Sequence, residues 1–316
     1  MRWMGRSGVR CEWGDVPVHI RSEVEDIAGA RVVAARNIDG GFSPGPAARC
    51  DLDDGQIVFV KAAGTVLNAV SPVLHRREAE VLAALPIGFP SPNLIGVADD
   101  GDWVAIVISW IDGTMPTAPV TTVDCARILR LTERLAELRQ DIAVDALLPV
   151  AVAHPDLSGH WQRLNNEPVA GLDAWTSAHL GDLVRLESDY STAIEGESVV
   201  HLDLRTDNII LGAAESDEVV VEWPWACRGV GWIDLVGLLP SLHLDGGPEP
   251  EEVFRASTIG QSADAGAVDV FLASIAGYFT RISLLPPPPG LPTVRQFQAA
   301  QGVIARAWLE RRLDEH

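Results

Sequence analysis

The chain has 316 residues, of which 47% are hydrophobic and 22% are charged, so it can bury a large core and is not a disordered or collagen-like polymer. Its 44 Asp and Glu residues against 24 Lys and Arg residues give a formal charge of −20. This charge would repel a polyphosphate backbone, so nucleic acid is not an expected partner. The length allows two lobes.

Cysteine spacing and the N-terminal segment bear on where the protein works. The four cysteines, Cys11, Cys50, Cys125 and Cys227, form no C-x-x-C pair, which argues against a zinc site or a disulfide framework and favours a reducing compartment. The N-terminal segment is charged and has no apolar core, and the uncharged apolar stretches are too short to cross a bilayer. We therefore expect a cytoplasmic protein with no membrane partner.

The first third of the sequence predicts a small antiparallel sheet with one helix. Strand and helix signals follow the order β-β-β-α-β-β, with strands at residues 30–38, 46–52, 57–62, 94–98 and 103–108 and the helix at 73–85. A Gly-rich turn, GGFSPG at residues 40–45, separates the first two strands. A hairpin turn at residues 53–55 joins the second strand to the third.

After about residue 110 the pattern becomes mostly helical. One apolar stripe recurs at helical steps at Ile128, Leu131, Leu135 and Leu138, and Thr121 or Thr122 could cap this helix. Further helices are predicted over residues 172–192, 232–242, 265–282 and 293–313, the last one after a Pro-rich break at 286–290. We therefore expect one lobe at residues 1–110 and a helical lobe at residues 111–316.

The strongest chemical signal is VVHLDLRTDNIIL at residues 199–211, where apolar pairs bracket a dense polar loop. Its H-x-D-x-x-x-x-N spacing is that of a kinase catalytic loop. In such a loop an Asp orients the attacking hydroxyl and accepts its proton, and an Asn five residues later binds a metal on the phosphates. The alternative is a turn that uses Asp203 and Asn208 only for local hydrogen bonds.

Lys61 ends a strand on the same face as Ile57 and Phe59, so its ammonium lies on an otherwise apolar surface. This ammonium needs an anionic partner. In the following helix, the 100° step per residue puts Glu78 on the apolar stripe and turns Glu80 away from it. Glu78 is therefore the predicted partner. A Lys on the third strand held by a helix Glu is the phosphate-binding half of a kinase nucleotide site.

Glu222 follows an apolar strand in VVVEWPW, where its carboxylate must face water, a cation or a hydrogen-bond donor. A magnesium ligand is the predicted role, and a solvent-facing Glu is the alternative. The Gly-rich turn at residues 40–45 could cover phosphates because glycine allows close backbone approach. It matches neither G-x-G-x-x-G nor the Walker pattern, so an ordinary hairpin turn is the alternative there.

In this order the segments resemble the aminoglycoside phosphotransferase and choline kinase-like family, small-molecule kinases with a protein-kinase-like fold. HLDLRTDNIIL resembles the family's H-G-D-x-x-x-x-N-x-L loop, and VVVEWPWACRGVGWIDLVGLL resembles its metal-binding segment followed by a G-x-x-x-x-D-L helix start. FVKAAG and RREAEVL match its phosphate lysine and helix Glu. The resemblance spans about residues 40–242. It implies a two-lobed α+β fold with the nucleotide on the N-terminal lobe and the catalytic loop and acceptor site on the C-terminal lobe.

The resemblance also implies a role for each residue. Asp203 would be the catalytic base, His201 would brace the loop, and Arg205 would either steady phosphate or pair with a nearby acid. Magnesium would be held by Asn208 and Glu222, and Asp234 would secure the loop from the next helix. The residues expected to contact the nucleotide are Lys61, Glu78, Gly40, Gly41, Ser43, Ser109 and Ile111. The last two belong to SWIDG at residues 109–113, the candidate hinge segment where sheet gives way to helix, and would contact adenine through backbone groups.

The implied reaction is transfer of the γ-phosphoryl group of ATP, or of GTP, to a hydroxyl of a small acceptor with Mg²⁺. The leading acceptor is an antibiotic such as an aminoglycoside or another cationic compound, as in a resistance enzyme, and an amino alcohol or sugar comes next. A pseudokinase is the alternative, because Glu222 stands where the family usually has Asp. Leu202 and Ser109 also depart from the family's usual Gly and Glu. A protein kinase is disfavoured because no APE-like segment lies between Glu222 and Asp234.

Overall fold

A computed structural model describes residues 11–38, 45–138, 147–167, 169, 171–214, 216–288 and 292–314. The chain divides into a first unit of residues 1–115, 207–225 and 288–291, and a second unit of residues 116–206, 226–287 and 292–316. The sequence predicts a single division after residue 110. The structure instead assigns residues 207–225, which follow the polar loop, to the first unit.

The described residues form strands and helices that we number in chain order. The strands are β1 (Val32–Asn37), β2 (Ala47–Leu52), β3 (Ile57–Gly64), β4 (Leu94–Asp99), β5 (Trp103–Ser109), β6 (Ser198–Val200), β7 (Ile209–Leu211), β8 (Glu218–Val220) and β9 (Cys227–Gly229). The helices are α1 (Val18–Ala28), α2 (Ser71–Ala84), α3 (Thr122–Glu137), α4 (Val150–Ala153), α5 (His160–Asn166), α6 (Ala174–Glu187), α7 (Tyr190–Ala193), α8 (Ile233–Leu244), α9 (Pro250–Ala256), α10 (Thr258–Ser262), α11 (Ala265–Ser283) and α12 (Val294–Asp314).

The first unit contains the predicted five-stranded antiparallel sheet, in the order β1-β2-β3-β5-β4. Strand β3 is central, and alternation along it gives the sheet two different faces. On one face, Val58 and Val60 pack with Ile20 and Val24 of α1 in a buried apolar cluster. On the other face, Ile106 of β5 packs against α2 in a second cluster. Each face is therefore covered by its own helix.

The expectation of one helix in this part of the chain is wrong, because α1 precedes β1. Helix α1 starts after Pro17, which offers no capping side chain, and ends at Gly29 with a left-handed φ of 74°. Its buried residues, Ile20 and Val24, lie one turn apart and face the sheet. The short hairpin β7–β8 also belongs to this unit, where the amide of Val220 donates to the carbonyl of Pro90 at 2.8 Å.

The second unit is mostly helical, as predicted. Thr121 caps α3 by accepting a hydrogen bond from the amide of Asp124. The helix predicted over residues 172–192 is interrupted, because α6 ends at Glu187 and α7 begins at Tyr190. Helix α11 is long and apolar enough to span a bilayer, but 61% of its apolar window is buried inside the protein, as in the core helix of a globular domain. Strand β6, which precedes the polar loop, pairs with strand β9, which precedes α8.

Gly45 offers a test of the first unit, because it is the described end of the predicted Gly-rich turn. A Cβ atom at Gly45 would lie 1.7 Å from the carbonyl oxygen of Ala62 in β3, a backbone atom that cannot move aside alone. We expect Gly45→Ala to lower the free energy of unfolding by about 1–3 kcal/mol, the usual effect of overpacking. Urea denaturation measures this change.

The matched control is Gly14→Ala, because a Cβ atom at Gly14 would have no atom within 4 Å. This variant should stay within about 0.5 kcal/mol of the parent, as surface substitutions do. Equal stability of the two variants would contradict the close approach of Gly45 to β3.

Candidate active site

Lys61 lies between two carboxylates in the first unit. Its Nζ is 2.7 Å and 2.9 Å from the two oxygens of Glu78, and 2.8 Å from Oε1 of Glu222. Lys61 is 4% exposed and Glu78 is 2% exposed. The alternative partner, Glu80, is exposed and pairs with Arg77 instead. The predicted pair of Lys61 and Glu78 is therefore formed, and a second acid joins it.

Strand and helix periodicity explain how this cluster assembles. Lys61 pairs in register with Ile106 of β5, so its side chain projects from the face of the sheet that α2 covers. Glu78 lies on the buried side of α2 beside Ala79, which packs in the same cluster. The amide of Trp223 donates to Oε1 of Glu78 at 3.3 Å, which connects the segment after β8 to α2.

Burial and the neighbouring charges shift the pKa values in this cluster. Burial alone would disfavour the ammonium, but the neighbouring carboxylates of Glu222 and Glu78 outweigh it and raise the pKa of Lys61. Burial also raises the pKa of Glu78, against the lowering effect of Lys61. With both acids ionised, one positive charge faces two negative charges. An additional cation would therefore be attracted to this place.

Glu222 and Asn208 lie at the same end of the β7–β8 hairpin. The register pairs Ile209 with Val220, and one residue further out the carbonyl of Asn208 accepts a hydrogen bond from the amide of Val221 at 2.9 Å. Glu222 comes next, with a left-handed φ of 68°. Its side chain is 38% exposed, so it can serve both Lys61 and a further ligand.

The donor set at this end of the hairpin suits magnesium. A carboxylate and a side-chain amide oxygen are hard ligands, and Mg²⁺ commonly takes one or two protein oxygens and completes its shell with water and phosphate. Among the residues that the structure describes, no group of three or more His, Cys, Asp or Glu side chains is arranged to hold a metal ion. The residues therefore fit a magnesium that arrives with phosphates better than a closed metal site.

The polar loop at residues 201–206 lies in the second unit, where Asp203 and Arg205 form an ion pair with Nη1 of Arg205 2.6 Å from Oδ1 of Asp203. The guanidinium of Arg205 also lies over the ring of Phe297 in α12, at 5.7 Å from its centroid. Asp203 is 31% exposed at its side chain, whereas Arg205 is mostly buried. Of the two roles expected for Arg205, pairing with a nearby acid is observed.

Asp234 holds the start of this loop from the first turn of α8. Its two carboxylate oxygens accept hydrogen bonds from the amides of His201 and Leu202, both at 2.8 Å. Burial raises the pKa of Asp234, and nearby His201 opposes this effect. Leu202 has a left-handed φ of 65°, a conformation that favours glycine, which explains why Gly suits this position. His201 is fully buried, as a bracing residue would be.

The hinge segment and the Gly-rich turn carry the remaining expected nucleotide contacts. The amide of Ser109 already donates to the carbonyl of Asn93, and its hydroxyl accepts from the amide of Asn93. The expected contact of a nucleotide base with the Ser109 amide therefore competes with this existing hydrogen bond. The ring of Trp110 lies 6.2 Å from that of Phe59 on β3. The other expected contacts, Gly40, Gly41 and Ser43, lie outside the described residues.

Sequence reasoning missed three residues around the loop. Thr206 donates a hydrogen bond from its hydroxyl to the carboxylate of Asp245, and both side chains are buried. Phe297 supports Arg205 from α12. Thr206 is part of the loop motif, but its partner and Phe297 lie far along the chain, in segments with no distinguishing spacing. Only the folded structure brings them together.

Comparison with known proteins identifies the family and the fold. Residues 74–268, more than half of the chain, match the APH phosphotransferase enzyme family. A search of curated proteins finds no match. The chain is similar in structure to an aminoglycoside-3′-phosphotransferase of type VIII, with 19% identity, a TM-score of 0.53 and coverage of 81% of this chain and 98% of that one.

Two further solved structures are similar over most of their length. A thermostable aminoglycoside phosphotransferase mutant in a ternary complex with AMP-PNP and hygromycin B has 11% identity, a TM-score of 0.59 and coverage of 93% of this chain and 98% of that one. An ethanolamine kinase of Plasmodium vivax has 12% identity, a TM-score of 0.53 and coverage of 87% and 81%. At these identities the likeness shows the fold, and the protein-kinase-like α+β fold is confirmed. The chain belongs to the APH phosphotransferase enzyme family and is a small-molecule phosphotransferase.

Proposed function

We propose that the protein transfers the γ-phosphoryl group of ATP to a hydroxyl of a small molecule, with GTP as the alternative donor. The observation that carries this proposal is the buried ammonium of Lys61, held between Glu78 and Glu222 in a member of a phosphotransferase family. A buried lysine needs charge partners, and one paired with two acids can donate hydrogen bonds to phosphate oxygens without losing its proton.

The first unit supplies the nucleotide side of the proposal. Lys61 would contact the α- and β-phosphates, and Glu78 would hold its ammonium in place. Asn208 and Glu222 would hold magnesium, which when bound supplies charge neutralisation for the phosphates. Support comes from two similar structures, ternary complexes of an aminoglycoside phosphotransferase with ADP or AMP-PNP. The excess negative charge around Lys61 also favours a metal–nucleotide complex over free nucleotide.

The loop of the second unit supplies the acceptor side. Asp203 pairs with Arg205 and is 31% exposed at its side chain, and its carboxylate would orient an acceptor hydroxyl. As the acceptor oxygen forms its bond to the γ-phosphorus, the bond between that phosphorus and the β,γ-bridging oxygen breaks. ADP leaves with that electron pair, and Asp203 takes the hydroxyl proton. Positioning and charge neutralisation carry most of the catalysis in such a reaction.

The proposed acceptor is an antibiotic, such as an aminoglycoside or another cationic compound, which would make the protein a cytoplasmic resistance enzyme. The net charge of −20 favours a positive substrate through long-range attraction. Structures similar to this chain include a complex with hygromycin B and a macrolide 2′-phosphotransferase. An amino alcohol or sugar is the second candidate, and similarity to an ethanolamine kinase supports it.

A panel of acceptors tests this proposal. Aminoglycosides, macrolides, amino alcohols and sugars are incubated one at a time with the protein, ATP and Mg²⁺, and mass spectrometry detects an added phosphate. We expect a phosphorylated antibiotic. Phosphorylation of an amino alcohol or sugar alone would shift the proposal to the second candidate. Modification of proteins in place of small molecules would contradict both.

Asp203→Asn tests the catalytic base. The amide cannot accept the proton, so kcat should fall by about 10²–10⁴ while the affinity for ATP stays nearly unchanged. Steady-state kinetics and nucleotide titration measure the two effects. Asp182→Asn, at an exposed acid on α6 that pairs with Arg185, is the control and should behave as wild type. Near-normal turnover of Asp203→Asn would refute its role.

Lys61 and Glu78 should act as one unit. Lys61→Ala and Glu78→Ala should each weaken nucleotide binding, and the double variant should be far less impaired than the sum of the two losses. Calorimetric titration with AMP-PNP measures the affinity of wild type, the two single variants and the double variant. Glu80→Ala serves as the control on the exposed side of α2 and should bind normally. Additive losses would mean that the two residues contribute independently.

Substitutions at Glu222 distinguish an active enzyme from a pseudokinase. Glu222→Ala should abolish phosphoryl transfer at every Mg²⁺ concentration, because the carboxylate that would neutralise the metal is removed. Glu222→Asp should stay within roughly tenfold of wild type, about 1.4 kcal/mol of barrier. Normal transfer by Glu222→Ala would contradict the assigned metal site. An inert wild type that gains activity as Glu222→Asp would identify a pseudokinase.

A further inference from the structure

We propose that Thr206 and Asp245 are positioning residues for the catalytic loop, and that α8 fixes this loop at both of its ends. The inference rests on the proposed function, since it concerns how Asp203 is held for phosphoryl transfer. It adds a second attachment point to the one that Asp234 provides. Neither Thr206 nor Asp245 would touch substrate or nucleotide.

The contact between these residues is buried and directional. The hydroxyl of Thr206 donates to Oδ2 of Asp245, with Thr206 2% and Asp245 7% exposed. A hydrogen bond to a carboxylate in such surroundings is stronger than one between neutral groups. The main chain of Asp245 is also anchored, because its carbonyl accepts from the amide of Val120 at 2.8 Å. The acceptor of the Thr206 hydroxyl is therefore itself fixed.

The two acids that hold the loop sit at opposite ends of one helix. Asp234 lies in the first turn of α8 and accepts from the amides of His201 and Leu202, whereas Asp245 is the C-cap of the same helix. The body of α8 is buried in the core of the second unit. The two attachment points are thus joined by one packed helix.

The tethered segment contains the reacting group. Between Leu202 and Thr206 lie Asp203 and its partner Arg205, and the ion pair between them depends on the main-chain path of these few residues. Leu202 has a φ of 65°, which is unfavourable for a residue with a side chain. A loop tied only at its start could relax from this conformation. A misplacement of about 1 Å at a reacting group can lower the rate by 10²-fold.

Three variants test the inference. Thr206→Val keeps the side-chain shape and removes the hydroxyl, and Thr206→Ser keeps the hydroxyl. Thr132→Val is the matched control, because Thr132 is also buried and donates to a main-chain carbonyl in α3, away from the loop. Each is compared with wild type for ATP hydrolysis with water as the acceptor, for binding of AMP-PNP with Mg²⁺, and for hydrogen exchange at residues 202–205.

We expect Thr206→Val to lower kcat for ATP hydrolysis by about tenfold, to bind AMP-PNP within about twofold of wild type, and to exchange faster at residues 202–205. Thr206→Ser should restore all three values, and Thr132→Val should change only global stability. If Thr206→Val does not fold, Asp245→Asn takes its place, and its weaker acceptor should give a smaller loss in the same direction.

Three results would overturn the inference. The first is unchanged exchange at residues 202–205 in Thr206→Val, and the second is faster exchange with unchanged kcat. The third is an equal loss of kcat in Thr206→Val and Thr132→Val, because it would indicate a general loss of stability. A wild type that neither binds AMP-PNP nor hydrolyses ATP would overturn the proposed function instead, and loop exchange would then decide the inference alone.

Discussion

An ammonium buried beside an apolar sheet face is the constraint on which the candidate site depends. Lys61 projects from the central strand β3 toward α2, where an unpaired charge would be very unfavourable. Glu78 and Glu222 resolve this problem together, one from the adjacent helix and one from the end of the β7–β8 hairpin. The pair of Lys61 with Glu222 is one contact between residues 207–225 and the rest of the first unit, and the hydrogen bond from Val220 to Pro90 is another. With both acids ionised, their charge would exceed that of the lysine, which supports the proposal that the site receives a metal–nucleotide complex.

In the second unit, buried carboxylates of Asp234 and Asp245 hold the main chain and a side chain of the polar loop. Acids from α8 accept hydrogen bonds that the loop would otherwise leave unmade. Asp234 accepts from the amides of His201 and Leu202, and Arg205 pairs with one oxygen of Asp203. Asp203, the proposed base, is thus partly exposed on a buried support.

Local patterns predicted much of this architecture. Alternation along β3 and the helical step along α2 were sufficient to pair Lys61 with Glu78, because each pattern fixes which side of its element is buried. The same patterns gave the strands of the sheet within a few residues. Helix α1 was missed because Pro17 offers no capping side chain, although its apolar spacing and Gly29 are a usable signal. The place of β5 between β3 and β4 depends on long-range pairing that no local signal carries.

Distance along the chain also limited the prediction of the site. The motif around Glu222 predicted a metal ligand, but its contact with Lys61 joins residues far apart in sequence. The partner of Thr206 was hidden for the same reason, because Asp245 is one of many acids in this chain.

We propose above that the cluster of Lys61, Glu78 and Glu222 receives a nucleotide together with magnesium. Calorimetric titration of wild type with AMP-PNP, in Mg²⁺ and in EDTA, tests it most directly. We expect AMP-PNP to bind at least about tenfold tighter with Mg²⁺, or about 1.4 kcal/mol; equal affinity in both, or no binding in either, would contradict this role of the cluster.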